Sequence, residues 1–372
     1  MANFLAVVTA RRRLVDQRQV PLERATLYTS SQTHHCVAKG AMLAGIPLAN
    51  VRKVDVDPRT FAIRVGCLRT LLREDQERGY TPFLVCGTAG TTNAGAIDDL
   101  PALRQLADEF GVWFHVDACY GGFFRLTARG RQRLAGIESA DSISVDPHKT
   151  LFMPNGVGAL LVRDREHLSD AMYLSSAYMP TTSEHPHIID FHELGPELTV
   201  QPRGLKIWLP IKLFGMEAFA RCLDEKLDLA EYLCEALHKL QHFEVLMRPL
   251  LSVVVFRLSV PGDSLQEANL RNRIFLQEIN RRRRAFLSPT VLDGRFVIRA
   301  CFLNFRTHRE HIDSAIESIR EASVVAITKP LEKVPPPPPT TPGGTPKKLV
   351  CEPRLQTDGN IIKDTGEYRE KK

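Results

Sequence analysis

Residues 113–122 read Trp113-Phe-His-Val-Asp-Ala-Cys-Tyr-Gly-Gly122, and the fold turns on what that stretch is. Trp113 to Val116 has the length and residue types of a β-strand, it ends on Asp117, and small residues then turn the chain. A carboxylate at the end of a buried strand is costly unless something pairs with it. Capping of the following helix is the plainer role for such an Asp; pairing with a bound cationic group is the more demanding one. Downstream, Ser144-Val-Asp-Pro-His-Lys149 again sets polar residues directly after a strand, at 142–145. A lysine there, taken alone, is usually a surface residue.

Working outward, strands at 25–28, 83–87, 113–116, 142–145 and 158–162 alternate with helices at 35–44 and 100–110. That alternation predicts an α/β fold with a mostly parallel sheet covered on both faces. In such sheets the residues that do chemistry sit at strand ends and in the loops after them. A large domain over 1–210 is expected. From Trp208 the texture changes: a helical stretch over 208–240 carries Leu223, Leu227, Ala230, Leu233, Cys234 and Leu237 at helical spacing. A strand at 252–258, a helix at 264–283, a strand at 296–302 and a helix at 311–322 complete a small α+β C-terminal domain over 211–328. Residues 329–372, with five prolines at 335–339, cannot bury a core and read as a disordered tail. The proline run is either a spacer or a weak ligand for an SH3- or WW-type partner.

At 372 residues, with 44% hydrophobic and 25% charged residues, the chain has room for two domains and a substantial core. The net charge of +6 is concentrated in runs such as Arg11 to Arg13 and Arg281 to Arg284. No aromatic residues interleave with them, so they read as solvated helix faces and not as a nucleic-acid groove. Eight cysteines occur without a CxxC pair or a His/Cys ligand spacing, which predicts a reduced protein with no metal site. The opening residues place their charges after a short apolar run, the reverse of a signal peptide. No apolar stretch is long enough to span a membrane. A cytoplasmic protein is expected.

Lys149 and Asp117 gain meaning together. A lysine that condenses with an aldehyde cofactor must reach a cleft and give up its proton, which a desolvated position among cations promotes. An acid at a strand end suits the protonated pyridine nitrogen of pyridoxal phosphate (PLP), which acts as an electron sink. The pattern His-Val-Asp-Ala-x-Tyr-Gly-Gly followed by Ser-x-x-x-Asp-Pro-His-Lys resembles the group II PLP-dependent amino-acid decarboxylases, and the aromatic-L-amino-acid decarboxylases among them. The resemblance runs from Ala2 to about Ala322 and implies the fold-type I PLP-dependent transferase architecture, that of aspartate aminotransferase.

Carried over to this sequence, the resemblance implies that Lys149 binds the cofactor covalently, with His148 beside it, and that Asp117 pairs with the ring nitrogen. His34, in Tyr28-Thr-Ser-Ser-Gln-Thr-His-His35, corresponds to a histidine that stacks on the ring. Thr92 corresponds to a threonine near the phenolic oxygen. Cys119 falls where relatives place alanine against the other ring face. Asp98 has a direct or a supporting structural role. Tyr178, in Ser175-Ser-Ala-Tyr-Met-Pro180, corresponds to a loop tyrosine that protonates the substrate carbanion, and relatives that make aldehydes carry phenylalanine there. Catalytic roles thus fall to Lys149, Tyr178 and His34.

One departure stands out. Relatives carry Ser/Thr-Gly-Gly-Ser/Thr-x-Ala-Asn, a loop whose backbone cradles the cofactor phosphate. This sequence opens Met1-Ala-Asn-Phe and keeps only Ala2 and Asn3 of it. An incomplete gene model, a truncated isoform and a degenerate pseudoenzyme all fit, and weak PLP binding is expected. The leading expectation is decarboxylation of an L-amino acid, tilted towards aromatic substrates, by a homodimer. The alternative is an impaired chain that dimerises with, and regulates, a full-length relative.

Overall fold

The computed structural model describes residues 1–174, 191–199 and 201–331; Tyr178 and the proline run lie outside the described residues. The first sheet is built from β1 (Ala25–Ser30), β2 (Val51–Val54), β3 (Thr81–Thr88), β4 (Trp113–Asp117), β5 (Ser142–Val145) and β6 (Ala159–Val162), in the order β2-β1-β3-β4-β5-β6. Every pairing is parallel except that of β5 with β6. The mostly parallel sheet expected from the alternation is therefore present.

Register shows why both faces are covered. Leu27, Leu84 and Trp113 lie side by side across three strands, as do Tyr28, Val85 and Phe114 one residue on. Successive side chains point to opposite faces, so the two rows enter different cores. The first packs with Val7, Ala10, Val37 and Ala41 from helices α1 (Ala2–Arg11) and α2 (Cys36–Leu43). The second packs with Leu68, Leu72, Leu103 and Leu106 from α3 (Val65–Glu77) and α4 (Leu100–Phe110). Every residue of β1 and β4 is buried, as expected of strands covered on both faces, the polar ones among them included.

Two short helices follow β4 and β5: α5 (Ala128–Arg133) and the single turn α6 (Pro147–Thr150). After β6 and α7 (Arg165–Met172), the helix expected over 208–240 is two helices, α8 (Leu205–Phe214) and α9 (Met216–His238). Gly215 separates them with φ at +73°, a conformation that side-chain-bearing residues avoid and that ends a helix.

The second sheet is antiparallel, ordered β7-β8-β10-β9 from β7 (Phe243–Val245), β8 (Val253–Leu258), β9 (Ser288–Leu292) and β10 (Arg295–Cys301). Helices α10 (Leu265–Arg281) and α11 (Arg309–Thr328) cover it, joining Phe275, Ile279 and Ile319 to Phe256 and Ile298. Ser264 and Glu267 form a capping box at the start of α10, a local signal legible in the sequence. Three of the four arginines at its end are paired on the surface: Arg281 and Arg282 with Glu278, and Arg282 and Arg284 with Glu321. Tyr120, in the loop after β4, bonds through its hydroxyl to the Ser252 hydroxyl and backbone N–H, tying the start of β8 to the loop that carries the site.

The first sheet is anchored at its β1–β2 edge by Asp75 on α3. Its buried carboxylate accepts from the Tyr28 hydroxyl at 2.6 Å and from two Arg52 nitrogens at 2.8 Å each. Removing one partner of a buried pair strands the others. Asp75→Ala is expected to destabilise the protein by about 2–3 kcal/mol, read as a lowered urea midpoint at unchanged slope. A midpoint equal to wild type would show that the cluster is idle.

Candidate active site

Three strand ends meet at the site. Thr88, Asp117 and Ser144 stand in register on β3, β4 and β5, and the loops that follow them fold over the carboxyl edge of the sheet. Close packing of these loops accounts for the small residues after Asp117. A Cβ on Gly121 would sit 2.0 Å from the Ala89 carbonyl oxygen, so only glycine lets the two loops touch.

A cavity of about 510 Å³ opens there, and its lining includes His34, Thr92, Asp117, Cys119, His148 and Lys149. Of the described residues nominated from the sequence, only Asp98 is missing from this lining. Residues more than a hundred positions apart are thus brought to one place by strand order alone.

Asp117 is 5% exposed. Its Oδ1 accepts from the Cys119 backbone N–H at 3.1 Å and the Ser144 hydroxyl at 3.3 Å, and its Oδ2 accepts from the Asn3 amide at 3.1 Å. The bond from Cys119 is a turn contact two residues on and not the helix cap of the plainer role, since the next helical turn, Gly122–Leu126, starts from Gly121 without a side-chain cap.

Lys149 lies on α6, whose N-cap is Asp146. One helical turn brings Nζ to 2.8 Å from Asp146 Oδ2. The expectation of a lysine among cations is corrected here: the charged groups acting on it are acids. Burial pulls its pKa down, but the hydrogen bond and charge of Asp146, with a contribution from Asp117, raise it overall. The free amine therefore keeps its proton. His148 is turned aside, donating from Nδ1 to the Val157 carbonyl at 2.5 Å.

His34 precedes α2. Its Nδ1 accepts from the Cys36 N–H at 3.3 Å, and burial together with neighbouring His35 lowers its pKa. A neutral, half-buried imidazole at a cavity wall suits stacking. The Cys119 thiol is pushed up, first by burial and then by Asp117, so it stays protonated and acts as a small apolar wall. Asp98 does not line the cavity. Its carboxylate accepts from the Ile63 and Thr88 N–H groups at 2.7 Å each, and burial raises it to about 6 against those two donors. Its role is the supporting one.

The residues present suit pyridoxal phosphate. An amine, a buried carboxylate and a neutral imidazole line the same cavity. Thr88, also in the lining, has a buried Oγ1 with no hydrogen-bond partner, a polar atom that a bound group would satisfy. The first turn of α1, from Ala2, lines the cavity too. Its unpaired N–H groups and positive dipole end favour an anion.

Sequence reading passed over Asn3 as a functional residue, along with Asp146, Ser144 and Thr88. A signal existed for one of them, since Asp146 sits three residues before Lys149 with proline between, the layout of a helix start.

Comparison with known proteins places the chain. The family described as "Pyridoxal-dependent decarboxylase conserved domain" matches residues 1–259. An aromatic-L-amino-acid decarboxylase of Bacillus atrophaeus is 35% identical over 334 residues, covering 89% of this chain and 68% of the relative. Oryza sativa TDC, solved with PLP and tryptamine, superposes with a TM-score of 0.82 at 27% identity over 87% of this chain and 68% of its own. A Rhodiola rosea 4-hydroxyphenylacetaldehyde synthase gives 0.79 at 26% identity, over 87% and 67%. The chain thus spans about two thirds of the length of these relatives, and the expected fold-type I architecture is borne out. This chain belongs to the pyridoxal-dependent decarboxylase family.

Proposed function

We propose that the chain decarboxylates an aromatic L-amino acid to the amine and carbon dioxide, working as a cytoplasmic homodimer. The observation that carries this is the convergence of Lys149, Asp117 and His34 on one cavity in a chain of this family. Aromatic substrates are favoured by the relatives, among them the aromatic-L-amino-acid decarboxylase. The dimer is supported by α8, where Leu205, Trp208, Leu209, Leu213 and Phe214 are each at least half exposed. An apolar strip of that kind marks a contact surface. No helix among the described residues is long and apolar enough to cross a membrane.

In this reading Lys149 Nζ, Asp117, His34, His148, Thr92 and Cys119 hold the cofactor. When bound, PLP supplies an electron-poor ring that takes up the electron pair left on the α-carbon as carbon dioxide departs. Asp117 contributes a fixed negative charge at the base of the cavity, locked by three donors. Asp146 holds the proton on Lys149 Nζ whenever that amine is free, so the amine must surrender it before it condenses with an aldehyde. His34, kept neutral by burial, offers a flat face that excludes water without adding charge. Tyr178, outside the described residues, is the proposed proton donor to the α-carbon.

A second reading, aldehyde formation, is favoured by the likeness to the Rhodiola rosea synthase. Products separate the two. Incubation with PLP and L-tryptophan, L-tyrosine or L-phenylalanine is expected to yield the amine, and aldehyde with ammonia would establish the second reading. Lys149→Ala is expected to abolish turnover, and Asp117→Ala to lower it by about 10²–10³-fold, the scale of one lost preorganised charge contact. Turnover by Lys149→Ala at the wild-type rate would refute the assignment.

The Lys149 proton is accessible separately. In cofactor-free protein, the pH dependence of Lys149 acylation is followed by peptide mass spectrometry. Asp146→Asn removes what raises the pKa and leaves burial, which lowers it, so the midpoint is expected to move to lower pH. An unmoved midpoint would mean that the ion pair does not hold the proton.

A further inference from the structure

Polar side chains on two neighbouring strands remain unused by the chemistry above. On β4, Trp113, His115 and Asp117 alternate with Phe114 and Val116; on β5, Ser142 and Ser144 flank Ile143. The parallel register sets His115 beside Ser142 and Asp117 beside Ser144. Strand alternation therefore turns all five towards the same face, the face covered by α1, where Asn3 waits.

The contacts form a continuous chain. Trp113 Nε1 lies 2.8 Å from Ser142 Oγ, Ser142 Oγ 2.8 Å from His115 Nδ1, His115 Nε2 2.8 Å from Asn3 Oδ1, and Asn3 Nδ2 3.1 Å from Asp117 Oδ2. Its ends fix its direction. Indole nitrogen only donates and a carboxylate only accepts. Asn3 must therefore present its amide N–H to Asp117 and its oxygen to His115, which makes Nε2 the protonated ring nitrogen. Nδ1 then accepts from the Ser142 hydroxyl, which itself accepts from Trp113. The 3.2 Å approach of Nδ1 to the Ser142 carbonyl carries no hydrogen in this arrangement. Every donor in the series points towards Asp117.

We propose that this directed chain fixes the orientation of the Asp117 carboxylate, making His115 and Asn3 positioning residues for the reaction; the proposal rests on the reading of Asp117 as the partner of the cofactor ring. An asparagine amide by itself turns over at little cost, and a reversed Asn3 would set two acceptors against each other at Asp117. His115 prevents the reversal, because its Nε2–H needs the Asn3 oxygen. His115 is fully buried, and burial pushes its pKa down to about 4 against the opposing pull of Asp117 and Ser142. The imidazole is therefore neutral near pH 7, with a single proton to place, as the chain requires.

The test has two arms. In the first, long-range ¹H–¹⁵N spectra of the cofactor-free protein near neutral pH, assigned with His115→Gln, report the ring proton. The expected result is a neutral Nε2–H tautomer, and an Nδ1–H tautomer or a charged ring would overturn the proposal. In the second, PLP is titrated and its Lys149-dependent absorption followed. His115→Gln keeps a donor near the Nε2 position and is expected to bind like wild type. His115→Leu and Asn3→Leu are expected to weaken binding by roughly 10-fold or more, the scale of one hydrogen bond to a charged group. Equal weakening in the Gln and Leu variants of His115, or none in either, would also overturn it. Should His115→Leu not fold, the tautomer and the Gln variant decide. Absence of a Lys149-dependent band in wild type would count against the cofactor reading alone, since the tautomer arm needs no cofactor.

Discussion

Asp117 is a carboxylate at the carboxyl end of a strand buried on both faces, and left without partners it would cost several kcal/mol. Much of the local architecture answers that demand. The Cys119 N–H and the Ser144 hydroxyl meet one oxygen, and the Asn3 amide meets the other. Those donors come from the loop after β4, from the neighbouring strand and from the first turn of α1. The carboxylate thus ties the opening of the chain to the centre of the sheet. The same donors leave the acid on the cavity wall, where a protonated ring nitrogen would complete its surroundings.

Lys149 shows the opposing side of that economy of charge. Burial works against its ammonium form, yet Asp146, one helical turn away, outweighs burial. A lysine that waits as a cation between acids is well retained in the cavity and poorly nucleophilic until it is relieved of its proton. The structure therefore separates two tasks that the motif alone runs together: holding the lysine in place and releasing its proton. The first belongs to Asp146, the second to whatever displaces that ion pair.

Much of this was legible beforehand, for identifiable reasons. Strands β1, β3, β4, β5 and β6 announced themselves as short segments of strand-favouring residues bounded by turn residues, and α4 matched its expected bounds of 100–110. Where reading failed, the signal was weak or local. β2, β7 and β9 each break a short apolar run with charged residues or a proline, residue types that strands disfavour. The break at Gly215 was masked by good helix formers on both sides. α3 carries Leu68 and Leu72 at helical spacing and was passed over. Within the site, spacing and resemblance nominated the cavity residues, but side-chain direction did not follow from either. That Asp117 faces Lys149 across the cavity, and that His115 turns to Asn3, depends on the register of β4 and β5 and on how α1 lies across them. Those are relations between distant segments, which one-dimensional reading does not reach.

If these side chains form one PLP site, Lys149 is its point of attachment. The most direct measurement is to incubate the purified protein with PLP, reduce with borohydride and map the modified peptides by mass spectrometry. A single dominant phosphopyridoxyl label on Lys149 is expected, at low molar excess of PLP. A label spread over surface lysines, with Lys149 no more modified than Lys53 or Lys239, would contradict it.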